Sequence, residues 1–110
     1  MQQFSMLPGT LEMLILRTLS GGEMHGYGIA QSIQRASQDV LKVEEGSLYP
    51  ALQRLLRKGR VTAAWAETEL NRRARFYRLT AAGKKQLHAE IDEFRRVTRA
   101  IENVLQPGEA

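Results

Sequence analysis

Between Gly59 and Thr80 the apolar residues of this chain change period, and that change limits the folds open to it. Upstream they recur at helical spacing: Leu11, Leu14 and Ile15, then Ile29, Ala30 and Ile33, then Leu48, Leu52, Leu55 and Leu56. From Arg60 they alternate instead. Val61, Ala63 and Trp65 interleave with Thr62, Ala64 and Ala66, and Arg75 to Thr80 alternates again with Tyr77 and Leu79 on one face. Two period-two runs joined by the polar stretch Glu67 to Ala74 predict a β-hairpin. Past Thr80 the helical period returns, with Leu87, Ile91, Phe94, Thr98, Ile101 and Leu105 forming a heptad-like seam. A chain of 110 residues has room for one compact domain. The expected fold is therefore mainly α with a small β-hairpin.

Turn and cap signals set the boundaries. Thr10, after Pro8-Gly9, is the expected cap of a helix that Gly21-Gly22 stops beyond Leu19. A second helix runs from Gly26 to Ala36. The linker Gln38 to Glu45 follows, in which Leu41-Lys42-Val43 has the makings of a short strand. A third helix spans 47–58, with Ser47 as its cap and Gly59 as its stop. On that register Pro50 is the third helical residue, inside the first turn, where no intrahelical N–H is required. The last helix starts at Thr80 and runs to Leu105. The chain divides into 1–80, a compact unit, and 81–110, a helix and tail. A helix this long projects beyond a small domain, so its seam is expected to pack on a second copy of the chain.

Charge is unevenly spread. Residues 1–45 hold three Lys/Arg against five Asp/Glu, residues 46–85 hold ten against two, and residues 86–110 are again net acidic. A basic middle third suits a polyanion. Several function classes drop out. Cysteine is absent, which removes disulfides, thiolate metal sites and cysteine nucleophiles and is compatible with a cytoplasmic location. There is no apolar run of membrane-spanning length, and Met1 to Leu7 is not a secretory signal. The two histidines lie far apart, and the carboxylates are scattered. No reactive constellation, metal site or cofactor is expected, and an enzyme is not.

Three helices, a hairpin and a long helix are the order of a winged helix-turn-helix, whose third helix enters the DNA major groove. On a helical wheel Leu48, Leu52, Leu55 and Leu56 point inward. Pro50, Gln53, Arg54 and Arg57 lie opposite, with Ser47 and Tyr49 at the borders. That face offers guanidinium, amide and hydroxyl donors and no carboxylate, which suits phosphates and base edges. Arg72, Arg73 and Arg75 make the expected wing over 67–75 basic as well, positioned for the backbone or minor groove. A winged helix can also be a protein-interaction module, its basic face meeting an acidic partner.

Four stretches, 7-LPGTLEMLILRTLS-20, 24-MHGYGIAQSI-33, 46-GSLYPALQRLLRKG-59 and 72-RRARFYRLTAAGKKQL-87, resemble the PadR family of bacterial transcriptional regulators. The single long C-terminal helix is similar to that of the short subfamily. The resemblance implies a homodimeric, repressor-like regulator on a near-palindromic operator. Carried over by position, Ser47, Tyr49 and Pro50 match the start of the recognition helix, Tyr27 the tyrosine of the HGY motif, and Arg72, Arg73 and Arg75 the basic wing. Leu56 and Arg60 depart from the family pattern. Some members sense phenolic or drug-like compounds, so the resemblance admits a small-molecule effector that no residue here demands.

Individual side chains carry alternatives. Tyr27 and Tyr49 each suit a phosphate contact or packing between helices. His25 reads as structural, His88 as a solvent or dimer-rim residue, and Met13 and Met24 as core filler. Trp65, the only tryptophan, reads by default as wing core and otherwise as an aromatic wall for an effector.

Overall fold

The computed structural model describes residues 8–108; Met1 to Leu7, Glu109 and Ala110 lie outside it. Seven elements follow in order: α1 (Pro8–Leu19), β1 (Met24–His25), α2 (Gly26–Ala36), α3 (Glu45–Arg57), β2 (Val61–Glu67), β3 (Arg73–Leu79) and α4 (Ala81–Leu105). The fold is mainly α with a small sheet. α1 lies at its centre: Leu11, Ile15 and Leu16 are fully buried, and they meet Ile29 and Ile33 of α2, Leu48, Ala51, Leu52 and Leu55 of α3, and Leu87 of α4.

The helices begin differently from the sequence expectation. Thr10 is not a cap, because α1 already includes Pro8, and proline is well suited to a helix entrance where no N–H is needed. In α3, Glu44 rather than Ser47 is the capping position. The N–H groups of Ser47 and Leu48 donate to the Glu44 carbonyl at 3.0 and 2.9 Å. Carboxylates at 44 and 45 stabilise the positive end of the helix dipole, and the cap lies three residues earlier than expected. Pro50 is then the sixth helical residue, and the Gly46 carbonyl loses the bond that position 50 would donate. The other end behaves as expected. Gly59 has φ of 71°, its N–H donates to Leu56 O, and Arg60 N–H donates to Leu55 O, which is a Schellman closure.

The sheet has three strands in the order β1-β3-β2, all antiparallel. The hairpin register pairs Val61 with Leu79, Ala63 with Tyr77, Trp65 with Arg75 and Glu67 with Arg73. The third strand is Met24–His25, pairing with Tyr77 and Phe76. It was not foreseen, since two residues carry no period. Leu41-Lys42-Val43 does not join this sheet; only Leu41 makes an isolated bridge. His25 is structural in two ways. Its Nδ1 accepts from Gly28 N–H at 3.0 Å and so caps α2, and its ring meets Phe76 edge-on at 5.4 Å.

α4 is fastened to the end of α3. The Thr80 hydroxyl donates to Gly59 O at 2.8 Å and accepts from Gly83 N–H at 2.9 Å, while Thr80 N–H donates to Arg60 O. Arg60, a departure from the family pattern, pairs with Glu90 at 3.7 Å and adds a second tie. Gly83 is buried so closely against the Arg60 carbonyl that a Cβ has no room. Leu87, expected on the intermolecular seam, is 3% exposed and belongs to the protomer's own core, and Ile91 packs partly against it. The body therefore continues three turns past Thr80. Beyond it Phe94, Val97, Ile101, Val104 and Leu105 stand exposed along α4, with Thr98 partly covered. The molecule is 61 Å long and 33 Å wide, so the far half of α4 projects.

Candidate nucleic-acid interface

α3 turns Leu48, Ala51, Leu52 and Leu55 into the core. Besides Glu45 and Gly46 in its first turn and Tyr49 at the border, it shows to solvent Ser47, Pro50, Gln53 and Arg57, spaced three, three and four and so aligned on one face. Arg54 does not share that face freely. Its Nε donates to Glu12 Oε2 at 2.8 Å, and Lys58 Nζ reaches Glu12 Oε1 at 3.1 Å. The wheel correctly placed Arg54 away from the leucines, but α1 brings a buried carboxylate to that flank and engages the guanidinium. Burial alone would raise the Glu12 carboxyl. The hydrogen bonds from Arg54 and Lys58, with their charges, outweigh it and hold the group below the usual carboxylate range. Glu12 was missed because a single glutamate on an apolar helix has no sequence signature until the cations opposite it are known.

Tyr49 lies between α3 and α2. A Cβ on Gly26 would stand 3.1 Å from its ring, so the glycine admits the tyrosine at the entrance of α2. The ring packs there and still leaves the residue 44% exposed. Tyr27 is 64% exposed, its hydroxyl accepting from Gln31 at 3.0 Å. Both phenols stand on the side of the molecule that carries the exposed face of α3.

The wing closes through residues 68–72. Asn71 takes φ of 58°, and Thr68 N–H donates to Arg72 O. Arg72 and Arg73 are exposed, while Arg75, two rungs inward, is partly buried beside Tyr77. Burial pushes the Tyr77 hydroxyl above the ordinary phenol range, with the neighbouring Arg75 charge opposing. Trp65 is not wing core: it is 61% exposed, and the Arg73 guanidinium lies over its ring at 5.4 Å. The inner face of the hairpin is buried at Val61 and Tyr77 and open further out, because the strands run past the edge of the helical body. Between α3 and this outer part of the wing is an open recess of about 440 Å³ that includes Tyr27, Tyr49 and Gln53 on one side and Trp65, Arg73 and Arg75 on the other.

The family profile described as "Transcriptional regulator PadR-like family" matches residues 15–89, which contain α2, α3 and the whole wing. The chain belongs to the PadR-like family. The fold agrees with transcriptional regulators of known structure. A PadR-like transcriptional regulator from Bacillus cereus superposes with a TM-score of 0.77 at 28% identity, covering 94% of this chain and 98% of that one. A transcriptional regulator from Clostridium thermocellum gives 0.79 at 26% identity over 86% and 92%. An uncharacterized protein from Lysinibacillus sphaericus is 28% identical over 102 residues, 93% of this chain and 94% of its own. As a PadR-family chain, the protein is a transcriptional regulator of the winged helix-turn-helix type. Among the described residues, no helix is long and apolar enough to cross a membrane.

Proposed function

We propose that the protein is a homodimeric, sequence-specific DNA-binding regulator, acting as a repressor on a near-palindromic operator from the cytoplasm. Residues 1–80 supply the DNA-binding unit and 81–110 the dimerisation helix and tail. α3 enters the major groove with Ser47, Pro50, Gln53 and Arg57, Tyr27 and Tyr49 meet phosphates, and Arg72, Arg73 and Arg75 hold the backbone or minor groove through the wing. One observation carries this reading: the Ser47, Pro50, Gln53 and Arg57 face of α3, which carries no carboxylate, stands beside the outer part of a hairpin that bears Arg72, Arg73 and Arg75. The dimer is supported by Phe94, Ile101 and Leu105, which remain exposed on the projecting half of α4.

The test is the salt dependence of duplex binding. Each phosphate contact contributes a slope of about −0.9 in log K against log salt. Arg72→Ala should flatten the slope by about one contact and weaken all sequences alike. Gln53→Ala should instead change which sequences are preferred. A basic face built for an acidic protein would bind duplexes without sequence preference, and Gln53→Ala would leave that unchanged.

A further inference from the structure

We propose that Trp65, on the wing side of the recess beside α3, is a DNA-contacting residue whose indole packs on a sugar–phosphate strand of the duplex. This rests on the DNA-binding reading and adds to it a residue outside the basic set.

The indole is the first argument. Its neighbours on the same hairpin face, Val61 and Tyr77, are buried, yet Trp65 is left open. A large aromatic ring exposed next to guanidinium groups is a surface awaiting a partner. Arg73 gives the second. Its guanidinium lies over the Trp65 ring, and stacking of this kind removes part of the arginine's rotamer freedom before anything binds. One of the two wing cations that line the recess is thus held in place in the free protein.

The chemistry of the walls identifies the occupant. Facing Trp65, Arg73 and Arg75 across the recess are the Tyr27 and Tyr49 phenols and the Gln53 amide, and none of the lining residues is acidic. The first carboxylate on that face, Glu67, lies one rung further out, across from Arg73. Cations and hydroxyls match phosphate oxygens, while the flat indole matches the apolar face of a deoxyribose or an edge of a base. The other large depression, between α2, the linker and the start of α3, differs: Asp39, Glu44 and Glu45 line it together with Arg35 and Lys42, so it has no single sign to offer a polyanion.

Position agrees with chemistry. A strand that borders the major groove occupied by α3 must pass between that helix and the wing, which is where the recess lies.

Because Trp65 is the only tryptophan, tryptophan emission, excited selectively over the tyrosines, reports this residue alone. The probe is random-sequence duplex DNA at low salt, titrated in parallel by mobility shift. The expected result is an emission change that saturates with the same midpoint as the mobility shift. Trp65→Ala should weaken binding about five- to tenfold, whereas Trp65→Phe retains most of it. Trp65 is exposed, so both variants should melt as the parent does. If the duplex shifts but emission stays constant and Trp65→Ala binds like the parent, Trp65 does not touch DNA and the DNA-binding reading stands without it. If no duplex binds at any salt, the proposal falls together with that reading.

Discussion

Glu12→Gln isolates the contact that fixes α3 on α1. The wild-type carboxylate is 7% exposed and accepts from Arg54 Nε and Lys58 Nζ at 2.8 and 3.1 Å. A charge-assisted hydrogen bond contributes about 1.5–3 kcal/mol when both partners are dry. Here the Arg54 and Lys58 side chains keep 30% and 46% exposure, so both cations regain water when the carboxylate is removed, and each bond is worth nearer 1 kcal/mol. Glutamine preserves the shape and one acceptor. The expected loss is about 1–2 kcal/mol, read as a fall of about 1 M in the urea midpoint at fixed protein concentration. The pH dependence gives a second readout. The folded Glu12 carboxyl is lowered, so its stabilisation is complete above the unfolded value of about 4.3 and is lost as pH falls through the folded value. The gap between parent and variant should hold from neutral pH down to the ordinary carboxylate range and close below it. An unchanged midpoint at pH 7, or a gap that persists undiminished into strong acid, would refute the reasoning.

Two further perturbations bear on α4. Gly83→Ala gains about 1 kcal/mol in helix propensity, but its Cβ meets the Arg60 backbone carbonyl, which cannot swing aside; a net destabilisation of about 2 kcal/mol is expected in thermal melts, and a stabilised variant would mean that α4 is not seated on the α3–β2 turn. Ile101→Asp leaves the protomer's core untouched, since Ile101 is 52% exposed; circular dichroism should show a folded chain and sedimentation a monomer, and a persistent dimer would move the interface elsewhere.

Much of the fold could be read locally. The change of period at Arg60 and its reversal at Thr80 located the hairpin, and the spacing of Ile29, Ala30 and Ile33 located the second helix at about Gly26 to Ala36, where α2 lies. Thr80 was legible as a cap because it closes the alternating run of β3 just before the helical period resumes. The site was legible where exposure follows from the element's own geometry: Ser47, Pro50, Gln53 and Arg57 face outward because the leucines opposite them face inward. It was not legible where a neighbour intervenes. Arg54 is engaged by a glutamate 42 residues away, and Leu87 is drawn from the seam into the core by α1.

The sequence by itself determined the order of elements, the apolar side of each and the segregation of positive charge onto the third helix and wing, since these depend on near-neighbour spacing and composition. Only the tertiary structure decided how far each apolar side stays covered and which charges are already paired. The same alternation that buries Val61 leaves Trp65 in the open, because the hairpin is longer than the body that supports it. Periodicity fixes the direction in which a side chain points, while the reach of the surrounding elements fixes what it meets there.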